Sequence, residues 1–166
     1  MISDLFDKRI VIFGCGNILL GDDGFGPAVI KHLNENYSLP QDVLALDMGT
    51  SIRDTLFDLT LSQKRPERLI VIDTVDFPEK KPGEVFEIPV GKIPANKIAD
   101  FSLHQFPTVN LLADLKAHCH LNITVLVAQM KDIPDEIKPG LSMPIQQAVV
   151  KACERIMQSI ASLSGL

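Results

Sequence analysis

The residues that can do chemistry are few, and most are acidic. Residues 14–26 read GCGNILLGDDGFG and carry the adjacent pair Asp22 and Asp23. The Gly14-x-Gly16 start is shared with dinucleotide-binding turns. A Rossmann fingerprint, however, needs G-x-G-x-x-G opening directly into a helix. Here the third glycine is Gly21, and two acids follow it. Those acids would repel a pyrophosphate at a helix start. They suit two other tasks: capping the following helix, or holding a metal. Asp73 closes the apolar run Leu69-Ile70-Val71-Ile72. A carboxylate half-buried at a strand end needs a cation, a metal or a backbone donor. His104 stands in Ser102-Leu103-His104-Gln105, where it is either a hydrogen-bonded packing residue or a ligand.

Other candidates carry less. His32 falls within a predicted helix as a surface residue. Neighbours on a helix point about 100° apart, so His118-Cys119-His120 makes a poor metal cluster. Histidines at a helix end suit its negative dipole instead. Cys15 lies between two glycines, but nearby acids raise a thiol pKa and disfavour the thiolate. Neither a G-x-S-x-G elbow nor an H-E-x-x-H zinc helix occurs.

These residues need a scaffold that brings distant loops together, and the hydrophobic pattern supplies one. Arg9 to Phe13, Val43 to Leu46, Leu69 to Ile72 and Ile123 to Ala128 read as buried strands. Glu84 to Val90 alternates and reads as a half-exposed, antiparallel edge strand. Helices are predicted over Gly24 to Asn36, Ile52 to Leu61 and Met143 to Leu163. His104 to Ala117 reads as a further helix, broken early by Pro107. Pro94 to Ser102 is a loop or short helix, and Lys131 to Gly140 a Pro-rich loop. Alternating strands and helices predict an α/β three-layer sandwich, a mostly parallel sheet with helices on both faces. Ligands of such sheets bind outside the C-terminal strand ends. Gly14 to Asp23, Asp47 to Thr50 and Asp73 all arrive at that edge.

The 166 residues suit a single domain spanning 1–166, with neither repeats nor linkers. A net charge of -5 argues against a nucleic-acid partner. Lys64-Arg65 with Arg68, and Lys80-Lys81, read as solvated loops. The three cysteines, Cys15, Cys119 and Cys153, form no disulfide framework. With no signal-peptide pattern and no apolar run of about 20 residues, a cytoplasmic, non-membrane protein is expected.

Five segments together carry a family resemblance: GCGNILLGDDGFG, Asp47-Met48-Gly49-Thr50, LIVIDTV with Asp73, Ser102-Leu103-His104-Gln105, and Pro139-Gly140-Leu141-Ser142. In order and spacing, over nearly the whole chain, the sequence resembles the hydrogenase maturation endopeptidases. The resemblance implies a twisted five-stranded sheet between helices. It implies a protease that trims the C-terminal extension from a nickel-loaded large-subunit precursor of a nickel–iron hydrogenase, its expected partner. It also implies three metal-ligand positions, which fall on Asp23, Asp73 and His104, doubling as the catalytic set. Asp23 stands where many relatives carry Glu, one methylene longer. The metal is expected to be nickel carried by the substrate, with zinc or cadmium as substitutes. An O,O,N set with open positions suits such borderline ions. Gly16, Asn17, Asp22, Asp47, Gly49, Thr50 and Gln105 are expected to line the substrate cleft, with Asp22 an alternative base. A monomer or weak homodimer is expected. Two rivals stand beside this reading: a non-proteolytic nickel-binding maturation chaperone that uses the same three residues, and a nucleotide-binding oxidoreductase built on the Gly-rich first loop, which Asp22 and Asp23 disfavour.

Overall fold

A computed structural model describes residues 2–92 and 106–164. A short helix α1 (Ile2–Phe6) precedes β1 (Ile10–Cys15). A single 3-10 turn (Gly21–Gly24) leads into α2 (Phe25–Asn36), followed by β2 (Val43–Gly49), α3 (Ile52–Leu61) and β3 (Arg68–Val75). The edge strand β4 (Val85–Ile88) and a 3-10 turn (Val90–Lys92) come next, then α4 (Phe106–His118), β5 (Asn122–Gln129) and α5 (Met143–Ser164).

The five strands run in the order β2-β1-β3-β5-β4, and β4 alone is antiparallel to its neighbour. Alternation along β1 explains the layering. Ile10 and Ile12 face a core closed by Val29 and Leu33 of α2 and by Ile145 and Ile156 of α5. Val11 and Phe13 face the other core, closed by Leu56 and Leu59 of α3 and by Leu112 and Leu115 of α4. Fully burying each of these side chains contributes roughly 1.5–3 kcal/mol. Because both faces are covered, β1 is apolar and buried throughout. The α/β sandwich and antiparallel edge strand are as the sequence predicts.

The chain moves outward from β1 to β2, then crosses back so that β3 lies on the other side of β1. This reversal leaves a crevice outside the C-terminal ends of β1 and β3, where open sheets bind ligands. Contact between α2 and the sheet is unusually close there. A Cβ on Gly26 would overlap the backbone of Cys15 and stand 2.8 Å from the carbonyl oxygen of Ile72.

Some details differ from the sequence reading. Asp73 lies inside β3 rather than at its end, since pairing continues through Val75 opposite Gln129. Pro107 does not break a helix but sits in the first turn of α4, where its missing N–H costs nothing. Neither Asp22 nor Asp23 caps α2: its N-cap is Gly24, and no side chain bonds there. The helix ending at His118 agrees with its reading as a terminus, and His120 follows in a left-handed conformation with φ of 54°.

Alanine normally strengthens a helix relative to glycine by up to about 1 kcal/mol. Gly26→Ala is expected to do the reverse, costing roughly 3 kcal/mol or more by overpacking. Gly91→Ala, with open space around it, should change stability little. Equal urea midpoints for the two variants would refute the close-packing account. Cys15 and Cys153 are buried, and burial pushes the Cys153 thiol up to about 12. A thiol reagent should therefore titrate only half-exposed Cys119 quickly in the native protein, and all three cysteines in denaturant.

Candidate active site

Three loops meet at the crevice. The first leaves β1 at Cys15, and its course is fixed by Gly16. That residue has φ of 137°, and a Cβ there would fall on the carbonyl oxygen of Asp23. Only glycine lets the outgoing chain touch its own return. The Gly16 N–H donates to the carbonyl of Gly49 at 2.9 Å, which ties this loop to the end of β2. Gly49 is itself turned by Asp47, whose Oδ1 accepts its N–H at 2.9 Å. Asn17 folds the next residues in the same manner, its Oδ1 accepting the N–H of Leu19 at 3.0 Å.

Asp23 is 8% exposed, as is Asp73. The Asp23 Oδ2 accepts the Asn17 N–H at 2.8 Å, and Thr74 Oγ1 donates to its Oδ1 at 3.5 Å. Thr74 neighbours Asp73 on β3, and its own N–H bonds the Asp73 Oδ1 at 2.8 Å. One threonine thus touches both carboxylates. Burial raises the Asp23 carboxyl above its usual value, partly offset by the Asn17 N–H and the Thr74 hydroxyl. The Cys15 thiol records the same crowding. Burial pushes it well above the ordinary thiol range, and Asp73, Asp47 and Asp23 push it further. Burial and the charges of these three aspartates thus disfavour the thiolate form of Cys15.

Asp22 takes a different direction. It is 2% exposed, and its Oδ1 accepts the Ser142 N–H at 2.7 Å. Its Oδ2 accepts the Lys131 N–H and the Ser142 hydroxyl, each at 2.9 Å. Both oxygens are engaged by the loop between β5 and α5, so Asp22 is a fastener between two loops.

Of the expected site residues, the structure gathers Asp23, Asp73, Gly16, Asn17, Asp47 and Gly49 at the crevice. Thr50 is exposed beside them at the end of β2. His104 and Gln105 lie outside the described residues. Among the described residues, no group of three His, Cys, Asp or Glu side chains is placed to hold a metal ion. Sequence reasoning missed Lys131, and it gave no role to Thr74 and Ser142, which it met only as members of motifs. Thr74 had one signal available, a hydroxyl directly after Asp73 in a run otherwise apolar. Lys131 contributes a backbone N–H, which no residue type announces.

A family model described as hydrogenase maturation protease matches residues 27–159, a span that includes Asp73 and His104 but not the first loop. A Methanocaldococcus jannaschii protein ascribed to the hydrogenase maturation proteases is 39% identical over 155 residues, which cover 92% of this chain and 97% of that one. Among solved structures, the hydrogenase 2 maturation peptidase of a Thaumarchaeota archaeon is 30% identical, with a TM-score of 0.60 over 92% of this chain and 98% of that one. The Escherichia coli hydrogenase maturating endopeptidase HybD is 24% identical and shares the fold, with a TM-score of 0.72 over 93% of each chain. With the family model matched over most of the chain and a relative this similar along nearly its full length, the chain belongs to the hydrogenase maturation protease family.

Proposed function

We propose that the chain is a metal-dependent endopeptidase that removes the C-terminal extension of a nickel-loaded large-subunit precursor of a nickel–iron hydrogenase. The observation that carries this reading is the pair of recessed carboxylates, Asp23 and Asp73, joined through Thr74 at the sheet's switch point. A recessed carboxylate whose charged form is disfavoured by burial gains from an arriving cation. In this reading, Asp23, Asp73 and His104 contact nickel brought in by the substrate, and zinc or cadmium can substitute. A divalent ion held there would polarise the scissile carbonyl and lower the pKa of a water. The remaining work falls to the chain itself. In this reading Gly16, Asn17, Asp22, Asp47, Gly49, Thr50 and Gln105 would line the cleft that holds the peptide. Asn17 and Thr74 orient Asp23 by hydrogen bonding.

Asp73→Ala and His104→Ala should each abolish tail removal from the nickel-loaded precursor while leaving the circular dichroism spectrum unchanged. The readout is the mass of the large subunit after incubation, and a normal mass loss with both variants refutes the assignment. Wild-type protein that binds the precursor without shortening it would point to a chaperone instead.

The raised Asp23 pKa also predicts a trade of stability against activity. The folded state binds this proton more tightly than the unfolded chain does, whose value is near 3.8. The resulting stabilisation is complete below that value and is lost as pH rises through the raised folded value, so at neutral pH the charge is a cost. Asp23→Asn keeps an oxygen for the Asn17 N–H and sets an amide toward the Thr74 hydroxyl. It should be more stable than wild type at pH 7, with the advantage shrinking as pH falls toward 4, and inactive in processing. A urea titration showing the variant weaker at pH 7 would contradict this.

A further inference from the structure

Among the described residues, most of the large apolar side chains left in solvent gather at one end of the molecule. Ile18 and Leu19, in the loop after β1, are 60% and 43% exposed. Ile133 and Ile137, in the loop after β5, are 37% and 70% exposed, and Met143 at the start of α5 is 64% exposed. Scattered apolar residues need no explanation, whereas a contiguous group marks an interaction site.

The two loops form one surface because they are bonded together. Lys138 N–H donates to the carbonyl of Leu19, and Gly21 N–H to the carbonyl of Lys138, both at 2.9 Å. Leu20 and Lys138 thus make a one-residue parallel bridge. Pro134 packs over Gly21, its Cδ 3.0 Å from where a Cβ would stand. The three hydrogen bonds to Asp22 close the other end. Between the loops runs a groove of about 300 Å³ with Gly21 and Asp22 in its lining, one residue from Asp23. The apolar rim and the acidic recess are parts of the same loop.

That continuity identifies the occupant. Asp23 is recessed, so a peptide bond can reach it only if the surface bearing the peptide comes down on the surrounding loops. Ile18 and Leu19 stand five and four residues from Asp23 and meet that surface first. The charges of the second loop are mixed, with Lys131 and Lys138 among Asp132, Asp135 and Glu136, so no single-sign field selects the partner. Selection by burial of apolar surface remains.

We propose that the bonded pair of loops carrying Ile18, Leu19, Ile133 and Ile137 is the docking surface for the folded body of the large-subunit precursor, engaging an apolar patch beside the point where its C-terminal tail emerges. This rests on the protease reading. The docking surface supplies affinity and delivers the tail to the acidic recess, and it takes no part in the chemistry.

The test uses Ile133→Glu, Ile137→Glu and the double variant, since all lie outside the acidic recess and exposed substitutions perturb stability little. Binding to the nickel-loaded precursor encoded in the same genome is measured by calorimetry. Processing is measured in single turnover at saturating enzyme. The double variant should bind the precursor at least tenfold more weakly. Its cleavage rate at saturation should stay within twofold of wild type, as expected when ground-state binding alone is lost. Leu61→Glu, at an exposed position on α3 away from the rim, serves as control and should bind as wild type does. Unchanged precursor affinity in the double variant overturns the docking surface while leaving the protease reading intact. Failure of the wild-type protein to shorten the precursor overturns the protease reading, and the affinity comparison still decides the surface. Should the substitutions instead convert a wild-type dimer to monomer, with precursor affinity unchanged, the occupant is a second copy of this chain and the proposal fails.

Discussion

Burying the Asp22 carboxylate forces two loops more than a hundred residues apart in sequence to fold as one. A buried carboxylate is costly unless donors surround it, and charge-assisted hydrogen bonds are the strong kind. The first loop supplies none of these donors to Asp22. All come from the other loop: the Lys131 N–H, the Ser142 N–H and the Ser142 hydroxyl. The chain between β5 and α5 must therefore return over the turn at Gly21–Gly24. In doing so it fixes the start of α5, whose first residue follows Ser142. Every later feature of the site depends on that closure, because the same turn carries Asp23.

The adjacent aspartates divide the work by direction. On a 3-10 turn, consecutive side chains point about 120° apart, so Asp22 and Asp23 cannot face the same partner. Asp22 faces the second loop and is saturated. Asp23 faces β3, where it receives the Asn17 N–H and a longer bond from Thr74. Burial raises the pKa of Asp23 because its donors offset only part of the desolvation. The glycines make the direction possible. Gly16 lets the loop pass against the Asp23 carbonyl, and Gly26 lets α2 sit directly on β1 and β3. The short reach of an aspartate is matched to this close approach, since the carboxylate already lies within bonding distance of the Asn17 N–H after β1 and the Thr74 hydroxyl on β3.

Much of this was legible in the sequence, and the parts that were not share a cause. The limits of α3 follow from Ile52, Leu56 and Leu59, which repeat at the helical period and fill one core. The edge strand was legible from alternation, and the crevice from three acid- or glycine-bearing strand ends. Asp73 was placed at a strand end because the apolar run stops at Ile72. The ladder to β5 instead carries β3 on through Val75, a pairing between segments some fifty residues apart. Asp22 looked like a helix cap because its local position suits one. Two of its three donors are distant backbone N–H groups, which leave no mark in the residue types, and the third is the equally distant Ser142 hydroxyl. Local patterns report local energetics, and long-range hydrogen bonds override them wherever a charge must be buried. His104 and Gln105 lie beyond the described residues and rest on the family resemblance alone.

The same imbalance gives the proposed reaction its physical logic. A protease that must act only on a metal-loaded precursor needs carboxylates that are poor at holding an ion alone yet improved by one that arrives with the substrate. Engagement of both oxygens by hydrogen-bond donors, as at Asp22, would leave little for an incoming cation to relieve. Full exposure would let water solvate the charge and weaken the response to the ion. Asp23 lies between these limits: recessed, partly bonded, and joined through Thr74 to Asp73 on the neighbouring strand. Fixing the loop through Asp22 then matters for specificity as much as for stability. A loop free to move could wrap its acids around any ion in solution, whereas one fastened from behind presents them at a set distance to an ion held by something else.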